Sequence, residues 1–114
     1  MAQVLSWLSD AFTRGGIPPA LGPHLWTILQ AAELRPLGML GIQPHFGPLD
    51  PDGPATLAGI IRTVLPLIER TGVATAADVG VETLQQRLSD EIVAAAAVTA
   101  HPMLLSAWGM VDRA

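Results

Sequence analysis

The sequence contains no cysteine, no tyrosine and no lysine, and only five of its 114 residues are aromatic. Without thiols the chain has neither a disulfide framework nor a cysteine-ligated zinc site. Charged residues make up 14%, well below the roughly 25% of an average soluble domain. The net charge is −4, and the six arginines form no basic cluster, which argues against a nucleic-acid-binding surface.

Apolar residues account for 50% of the chain, and the mean hydropathy is +0.43. This composition argues against intrinsic disorder, and the length predicts a single domain over residues 1–114. A small domain has a large surface for its volume, so a chain with so little charge must expose apolar residues. The sequence therefore predicts that the domain contacts another chain or belongs to a larger assembly.

One stretch of twenty residues, 92–111, carries no formal charge and has the length of a membrane span. His101 and Pro102 lie in its middle, where proline would interrupt a helix, and its first half is mostly alanine, which gains little from lipid. We therefore expect a helix that ends near Ala100, followed by a buried strand, and no membrane contact. No positive charge precedes the first apolar residues, so no signal peptide is predicted and the expected location is the cytoplasm.

Apolar residues recur at helical spacing in four segments, which predicts helices over residues 2–14, 22–35, 54–70 and 81–99. The expected apolar stripes are Val4, Trp7, Leu8 and Ala11 in the first helix, Leu25, Ile28, Leu29 and Ala32 in the second, and Val81, Leu84, Leu88 and Ile92 in the fourth. The third helix has apolar residues on more than one face and is expected to be largely buried. Thr75 and Asp78 have the spacing of a capping box, which predicts one short helical turn. Residues 17–19 are expected to be extended because of two prolines.

Two short apolar segments, residues 37–46 and 103–111, predict strands. Residues 47–54 contain three prolines and two glycines and are predicted to form a loop. An isolated pair of strands is only marginally stable in water. The predicted fold is therefore α+β and mostly helical, with four main helices and two strands whose sheet is incomplete within one chain.

Several segments resemble the C-terminal part of class I S-adenosylmethionine-dependent methyltransferases of the actinobacterial small-molecule type. They are IIRTVLPLIERTGVATAADV at residues 60–79, ETLQQRL at residues 82–88 and SAWGMV at residues 106–111. Upstream, FTRGG at residues 12–16 and LQAAEL at residues 29–34 resemble the family's helices after its central strands. The resemblance implies that the two strands would complete a Rossmann-like sheet supplied by a partner or by a second copy.

The cofactor-binding signature of that family is absent. The family places a G-x-G-x-G-like loop after a strand, because the backbone must approach the cofactor closely, and an acidic residue then accepts hydrogen bonds from the ribose. Gly15-Gly16 and the pair Gly38 and Gly41 have the wrong spacing and follow no predicted strand. The chain alone is therefore expected to bind no cofactor, and S-adenosylmethionine would reach the assembly through a partner subunit.

The three histidines are the only side chains that ordinarily titrate near neutral pH. Their spacing matches no compact metal motif, so no metal site is predicted. His45 lies beside Phe46 on a loop bounded by glycine and proline. It is either a general base toward a substrate hydroxyl, the candidate catalytic role, or an exposed loop histidine. His101, directly before Pro102, is expected to contact backbone at a helix end.

The candidate substrate-pocket residues are Trp26, His24, Phe46 and Trp7. Aromatic side chains line many apolar small-molecule pockets, but a tryptophan at helical spacing also fits an ordinary core. Trp26 is the exception, because it flanks the stripe of its helix. His24 lies in the first turn of that helix, where the dipole disfavours a cation, so a neutral or solvated side chain is expected.

Three functional hypotheses follow, of which the third is a non-catalytic regulatory partner that inserts into a full-length methyltransferase. In the first, the chain is the C-terminal subunit or fragment of a split methyltransferase for a small hydrophobic substrate, and it needs a protein partner that carries the cofactor-binding half. In the second, it is a stand-alone homo-oligomer, derived from such an enzyme, that binds or cyclises a small hydrophobic natural-product intermediate without a cofactor.

Overall fold

A computed structural model of the protein describes residues 2–17 and 21–112. The helix predicted over residues 2–14 forms with those bounds. In chain order the helices are α1 (Ala2–Arg14), a 3₁₀ turn (Gly22–His24), α2 (Leu25–Ala31), α3 (Asp52–Arg70), α4 (Ala76–Val79) and α5 (Val81–Ala95). The strands are β1 (Leu34–Ile42), β2 (His45–Phe46), β3 (Thr99–Ala100) and β4 (Leu104–Val111). The α+β, mostly helical class is confirmed. Pro18 and Pro19, predicted to be extended, lie outside the described residues.

The chain folds into two compact units. Unit 1 comprises Met1–Ile17 and His45–His101, and unit 2 comprises Pro18–Pro44 and Pro102–Ala114. Unit 1 contains α1, α3, α4, α5 and the short strands β2 and β3, whereas unit 2 contains the 3₁₀ turn, α2 and the longer strands β1 and β4. A single domain over residues 1–114 stays a prediction beside this division.

The core of unit 1 is formed by the predicted helical stripes. The stripe of α1 is buried in full, as predicted, and three of the four stripe residues of α5 are buried with it. On α3, Leu57, Ile61 and Ile68 are fully buried, while several other apolar residues of this helix pack against the core with partial exposure. These helices form because one set of apolar side chains is removed from water on each of them.

Two helices end before their predicted C-terminal residues, and α3 begins at Asp52, two residues before its predicted start. α2 ends at Ala31 rather than at Arg35, because Glu33 adopts the left-handed region with a φ of 62° and turns the chain into β1. α5 ends at Ala95 rather than at Thr99, because Ala96 has a φ of 48° and terminates the helix. A non-glycine residue in this region costs roughly 1–2 kcal/mol, so both turns depend on the surrounding structure rather than on a glycine signal.

The predicted strand over residues 37–46 is two strands instead of one. β1 begins at Leu34 and ends at Ile42, and β2 follows after Gln43 and Pro44. β2 pairs antiparallel with β3, with His45 opposite Ala100 and Phe46 opposite Thr99. The division has a physical cause, because Pro44 lacks a backbone N–H and restricts the residue before it.

The uncharged residues 92–111 contain the end of α5, β3 and β4. Among residues 2–17 and 21–112, no helix combines the length and the hydropathy required to cross a bilayer. The strand predicted over residues 103–111 forms as β4, one residue shorter, but the prediction that it is buried is wrong, because none of its residues is buried.

The capping box predicted at Thr75 and Asp78 is confirmed. The Asp78 N–H donates to Thr75 Oγ1 at 3.1 Å, and the Thr75 N–H donates to Asp78 Oδ2 at 3.0 Å. The hydrogen bond from the Thr75 backbone, and then the one from its side chain, lower the pKa of the Asp78 carboxyl, although slight desolvation acts in the opposite direction. The box begins α4, and Gly80, with a φ of 60°, then leads the chain into α5.

The capping box predicts a specific pH dependence of stability. Since the pKa of Asp78 is lower in the folded chain, its contribution is complete above the ordinary aspartate pKa and is lost as the pH falls through the folded-state pKa. Asp78→Asn should therefore lower the melting temperature at neutral pH, and the difference from the native chain should shrink toward about pH 2. Melting followed by circular dichroism measures both curves.

The matched control is Glu69→Gln, which removes one carboxylate from an exposed position on α3, outside the capping box. A difference between Asp78→Asn and the native chain that stays constant across the acid range would contradict the role of the charged cap.

Candidate functional site

β1 and β4 form a two-stranded antiparallel ribbon in unit 2. The register runs from Leu34 opposite Val111 to Ile42 opposite Leu104 and shifts once, between Pro36 and Gly38. The two segments predicted as strands therefore pair with each other. The shift is a bulge on β1, which explains how a proline is accommodated in a strand.

One face of the ribbon, here called the inner face, is partly covered by the helical segment of unit 2. α2 contacts both strands, and Leu105, on this face, lies so close to Gly22 that a Cβ added there would be 2.4 Å from Leu105 Cδ1. Leu105 and Ala107 are half-buried. The stripe predicted for this helix is only partly realised, because Leu25 and Leu29 are half-buried while Ile28 and Ala32 are exposed.

The opposite face, here called the outer face, carries a continuous set of exposed apolar side chains. It consists of Leu40, Ile42, Leu104, Trp108 and Met110. Alternation along β4 and the pairing register place all five on the same side. The Trp108 ring lies over Gly38, because a Cβ added at that glycine would be 2.5 Å from Trp108 Cζ2. At one end of the ribbon, Arg35 Nε donates to Asp112 Oδ1 at 3.0 Å.

Unit 2 has no hydrophobic core among its described residues. None of residues 21–44 and 102–112 is buried, whereas every buried residue of the described chain belongs to unit 1. The formal charges of unit 2 also cancel, since Glu33 and Asp112 balance Arg35 and Arg113, so the net charge of −4 lies entirely on unit 1. A two-stranded ribbon with one short helix gains little stability from such partial burial.

The two free edges of the ribbon, one on β1 and one on β4, differ. β1 contains Pro36 and the bulge beside it, and both features hinder pairing with a further strand. β4 contains no proline between Leu104 and Val111, and its residues are paired consecutively with no extra residue on this strand. The β4 edge is therefore the one that can accept another strand.

Three of the predicted site residues lie in unit 1. His45 is exposed on β2, and Phe46 beside it is half-buried. Trp7 is 7% exposed and belongs to the core cluster of unit 1. This position fits the core role that the sequence left open for Trp7. Its role as a pocket residue, like that of His45 as a general base, stays a prediction.

A buried polar cluster adjoins Phe46. His101 is 5% exposed, its ring centroid lies 4.8 Å from that of Phe46, and its Nε2 lies 3.3 Å from the Gly53 carbonyl oxygen in the first turn of α3. The predicted backbone contact of His101 at a helix end is thus confirmed. Thr99 is fully buried beside Gly53, and its Oγ1 has no hydrogen-bond partner.

The other two predicted pocket residues, His24 and Trp26, lie in unit 2 and are exposed. An open cavity of about 500 Å³ lies nearby, lined by residues 21–23, 25 and 102–105. Leu25 lines it, but His24 and Trp26 do not. Sequence reasoning missed residues 102–105 because nothing local indicates that the start of a strand meets a helix begun some eighty residues earlier. All the lining residues are apolar.

Neither of the two glycine pairs forms a loop that follows a strand, and the absence of a cofactor site stays a prediction. Gly38 and Gly41 lie inside β1, beneath Trp108 and Leu105, and Gly15 and Gly16 follow a helix rather than a strand. Among residues 2–17 and 21–112, no group of three histidine or acidic side chains is placed to hold a metal ion.

Comparison with known proteins gives no assignment. No protein-family model, no curated protein and no solved structure matches the chain. The resemblance to methyltransferases rests on the quoted segments and stays a prediction.

Proposed function

We propose that the chain is the C-terminal subunit or fragment of a split S-adenosylmethionine-dependent small-molecule methyltransferase. It supplies sheet-closing strands and the lid of the substrate pocket to a partner that carries the cofactor-binding half. The observation that carries the proposal is unit 2, whose described residues form a ribbon and a helix without a buried side chain. The choice of methyltransferase is supported by the resemblance of residues 60–79, 82–88 and 106–111.

The partner's sheet is proposed to continue at the β4 edge. This edge is regular over Leu104–Val111, whereas the β1 edge contains Pro36 and a bulge. Pairing along β4 would satisfy backbone groups that an edge strand leaves to solvent. The resulting Rossmann-like sheet is the arrangement that the resemblance implies.

The chemical contribution of this chain would be positioning and exclusion of water. Methyl transfer requires an acceptor held in line with the methyl donor in a dry pocket. We propose a small hydrophobic substrate and His45 as general base in the assembled enzyme, in the cytoplasm, and the pocket roles of Trp26, His24, Phe46 and Trp7 stay predictions. The chain is proposed to have no cofactor site of its own, so S-adenosylmethionine would be bound by the partner.

The decisive experiment is coexpression with the polypeptide encoded by the upstream neighbouring reading frame. We expect a stable complex that binds S-adenosylmethionine in calorimetric titrations, whereas this chain alone gives no heat of binding. Binding of S-adenosylmethionine by the isolated chain would contradict the proposal. Failure to form a complex, with an upstream polypeptide that lacks a cofactor-binding strand and loop, would contradict it as well.

Proline substitutions test the β4 edge. Successive backbone N–H groups of a strand point to opposite edges of that strand. Of Leu105→Pro and Ser106→Pro, one therefore removes an N–H that points toward β1 and the other an N–H that points toward the free edge of β4. The variant that loses the N–H at the free edge should keep the β1–β4 pairing, measured by amide hydrogen exchange, and weaken the complex with the upstream polypeptide at least tenfold. Leu105→Ala and Ser106→Ala are the matched controls. Unchanged affinity in both proline variants would exclude this edge as the docking edge.

A second candidate function is the stand-alone homo-oligomer that binds or cyclises a small hydrophobic intermediate without a cofactor. The open cavity of about 500 Å³ in unit 2 favours it, because the lining is free of charge and its volume falls within the range of small-molecule pockets. An isolated chain that is folded, binds an apolar probe such as anilinonaphthalene sulfonate and competes it off with uncharged hydrocarbons would support this function. No complex with the upstream polypeptide should then form.

A further inference from the structure

We propose that the outer face of the ribbon packs against the outer face of a second copy of this chain, forming a symmetric dimer. Its five apolar residues are each between 49% and 65% exposed, and all lie on strands whose other face is partly covered by α2. The proposal goes beyond the function proposed above, because it uses a face of the ribbon rather than the β4 edge. An assembly with a cofactor-binding partner would then contain two copies of each chain.

The area of the outer face is close to what a dimer requires. A large apolar residue presents on the order of 200 Å² when fully exposed, so five residues at roughly half exposure present between roughly 500 and 600 Å². A standard interface buries about 800 Å² per partner, of which a polar rim supplies part. Ser106 lies among the five residues, and the Arg35–Asp112 ion pair borders them at one end and provides part of that rim. Interfaces at this lower end of the size range are typical of weak, reversible association, so we expect a dimer that dissociates on dilution.

Charge favours a second copy as the occupant. Unit 2 has no net formal charge, and the ion pair between Arg35 and Asp112 neutralises the charged end of its ribbon. Two outer faces therefore meet without net repulsion, although each chain carries −4. The excess charge lies on unit 1, so association through that unit would bring like charges together.

Trp108 is expected to be the central contact. Its ring lies over Gly38, so one side of the indole is supported by backbone while the residue is 49% exposed. Tryptophans held in this way are common energetic centres of interfaces. Sheets that pack face to face lie about 10 Å apart, a distance that side chains of this size fill.

Light scattering on the full chain over a range of concentrations tests the proposal. We expect a mass twice the 12.0 kDa of the chain at about 100 μM, with dissociation at lower concentration. Leu40→Lys and Leu104→Lys, one on each strand, should each raise the dissociation constant at least tenfold, because each places two like charges in the interface. The matched control is Leu49→Lys, at an 83% exposed position in a loop of unit 1, which should leave the dimer intact.

Three outcomes would overturn the proposal. A native chain that stays monomeric at millimolar concentration excludes the dimer without any variant. A mass that rises without limit excludes a closed symmetric contact. A complex with the upstream polypeptide that contains one copy of this chain and is lost in Leu40→Lys shows that the partner covers the outer face. The proline variant that keeps the β1–β4 pairing tests the proposed function separately, since it leaves the five apolar residues of the outer face in place.

Discussion

Replacing Ile61 by alanine is expected to lower the free energy of unfolding of unit 1 by about 2–4 kcal/mol. Ile61 is fully buried on α3, in the cluster that joins α1, α3 and α5. Removal of its side chain loses apolar burial and leaves a cavity that the neighbouring helices fill only in part. Urea unfolding followed by circular dichroism at the helix band measures the loss, because most helical residues belong to unit 1.

The control for this variant is Val93→Ala on α5, where the valine is 50% exposed. It removes apolar atoms from a helix without creating a buried cavity, so the expected change is within about 0.5 kcal/mol. Equal effects of the two substitutions would mean that the core of unit 1 is not formed by these helical stripes.

The second large effect is expected at Gly109, where an added side chain would meet the backbone of β1. A Cβ added at this position would lie 2.7 Å from the Arg35 carbonyl oxygen and 3.5 Å from the Pro36 Cα. Both atoms belong to the backbone of the paired strand, so no side-chain rearrangement relieves the contact. Gly109→Ala should therefore separate the strands at this end, at a cost of roughly 1–3 kcal/mol.

Two measurements follow the consequences of Gly109→Ala. Amide hydrogen exchange should show lost protection in β1 and β4, and light scattering should show a dimer weakened at least tenfold, because the outer face depends on the pairing register. Gly59→Ala is the matched control, since a Cβ added there meets nothing within 4 Å. Gly59 lies on α3, so this control should raise the stability of unit 1 by up to about 1 kcal/mol. Unchanged ribbon protection in Gly109→Ala would contradict the close approach of the strands.

The helices and the core of unit 1 could largely be predicted, because the sequence features that indicate them lie close together in the chain. The stripe of α1 and the capping box at Thr75 each depend on residues within about two helical turns. The boundaries were less predictable, since Glu33 and Ala96 end α2 and α5 in a left-handed conformation that favours glycine or asparagine. The helix predicted over residues 22–35 extended too far, because the place of Pro36 at a bulge of β1 becomes visible only with the paired strand.

The candidate site was less predictable than the helices. Trp7, on the apolar stripe of its helix, is 7% exposed, and Trp26, which flanks the stripe of its helix, is 39% exposed. Their positions on the helices indicated this difference in burial, but they did not show whether either residue lines a pocket. The cavity lined by residues 102–105 also involves segments far apart in the chain, and these residues carry no polar group that would have marked them.

The low charge and high apolar content, by themselves, determined that part of this protein must expose an uncharged apolar surface, and helical periodicity determined the core of unit 1. Only the tertiary structure decided where that surface lies. It joined β1 and β4 across 77 residues of sequence, as the Arg35–Asp112 pair shows, and left one face of their ribbon exposed. The physical reason is that a helix satisfies its backbone locally, whereas a strand acquires a buried face and a paired edge only from distant segments.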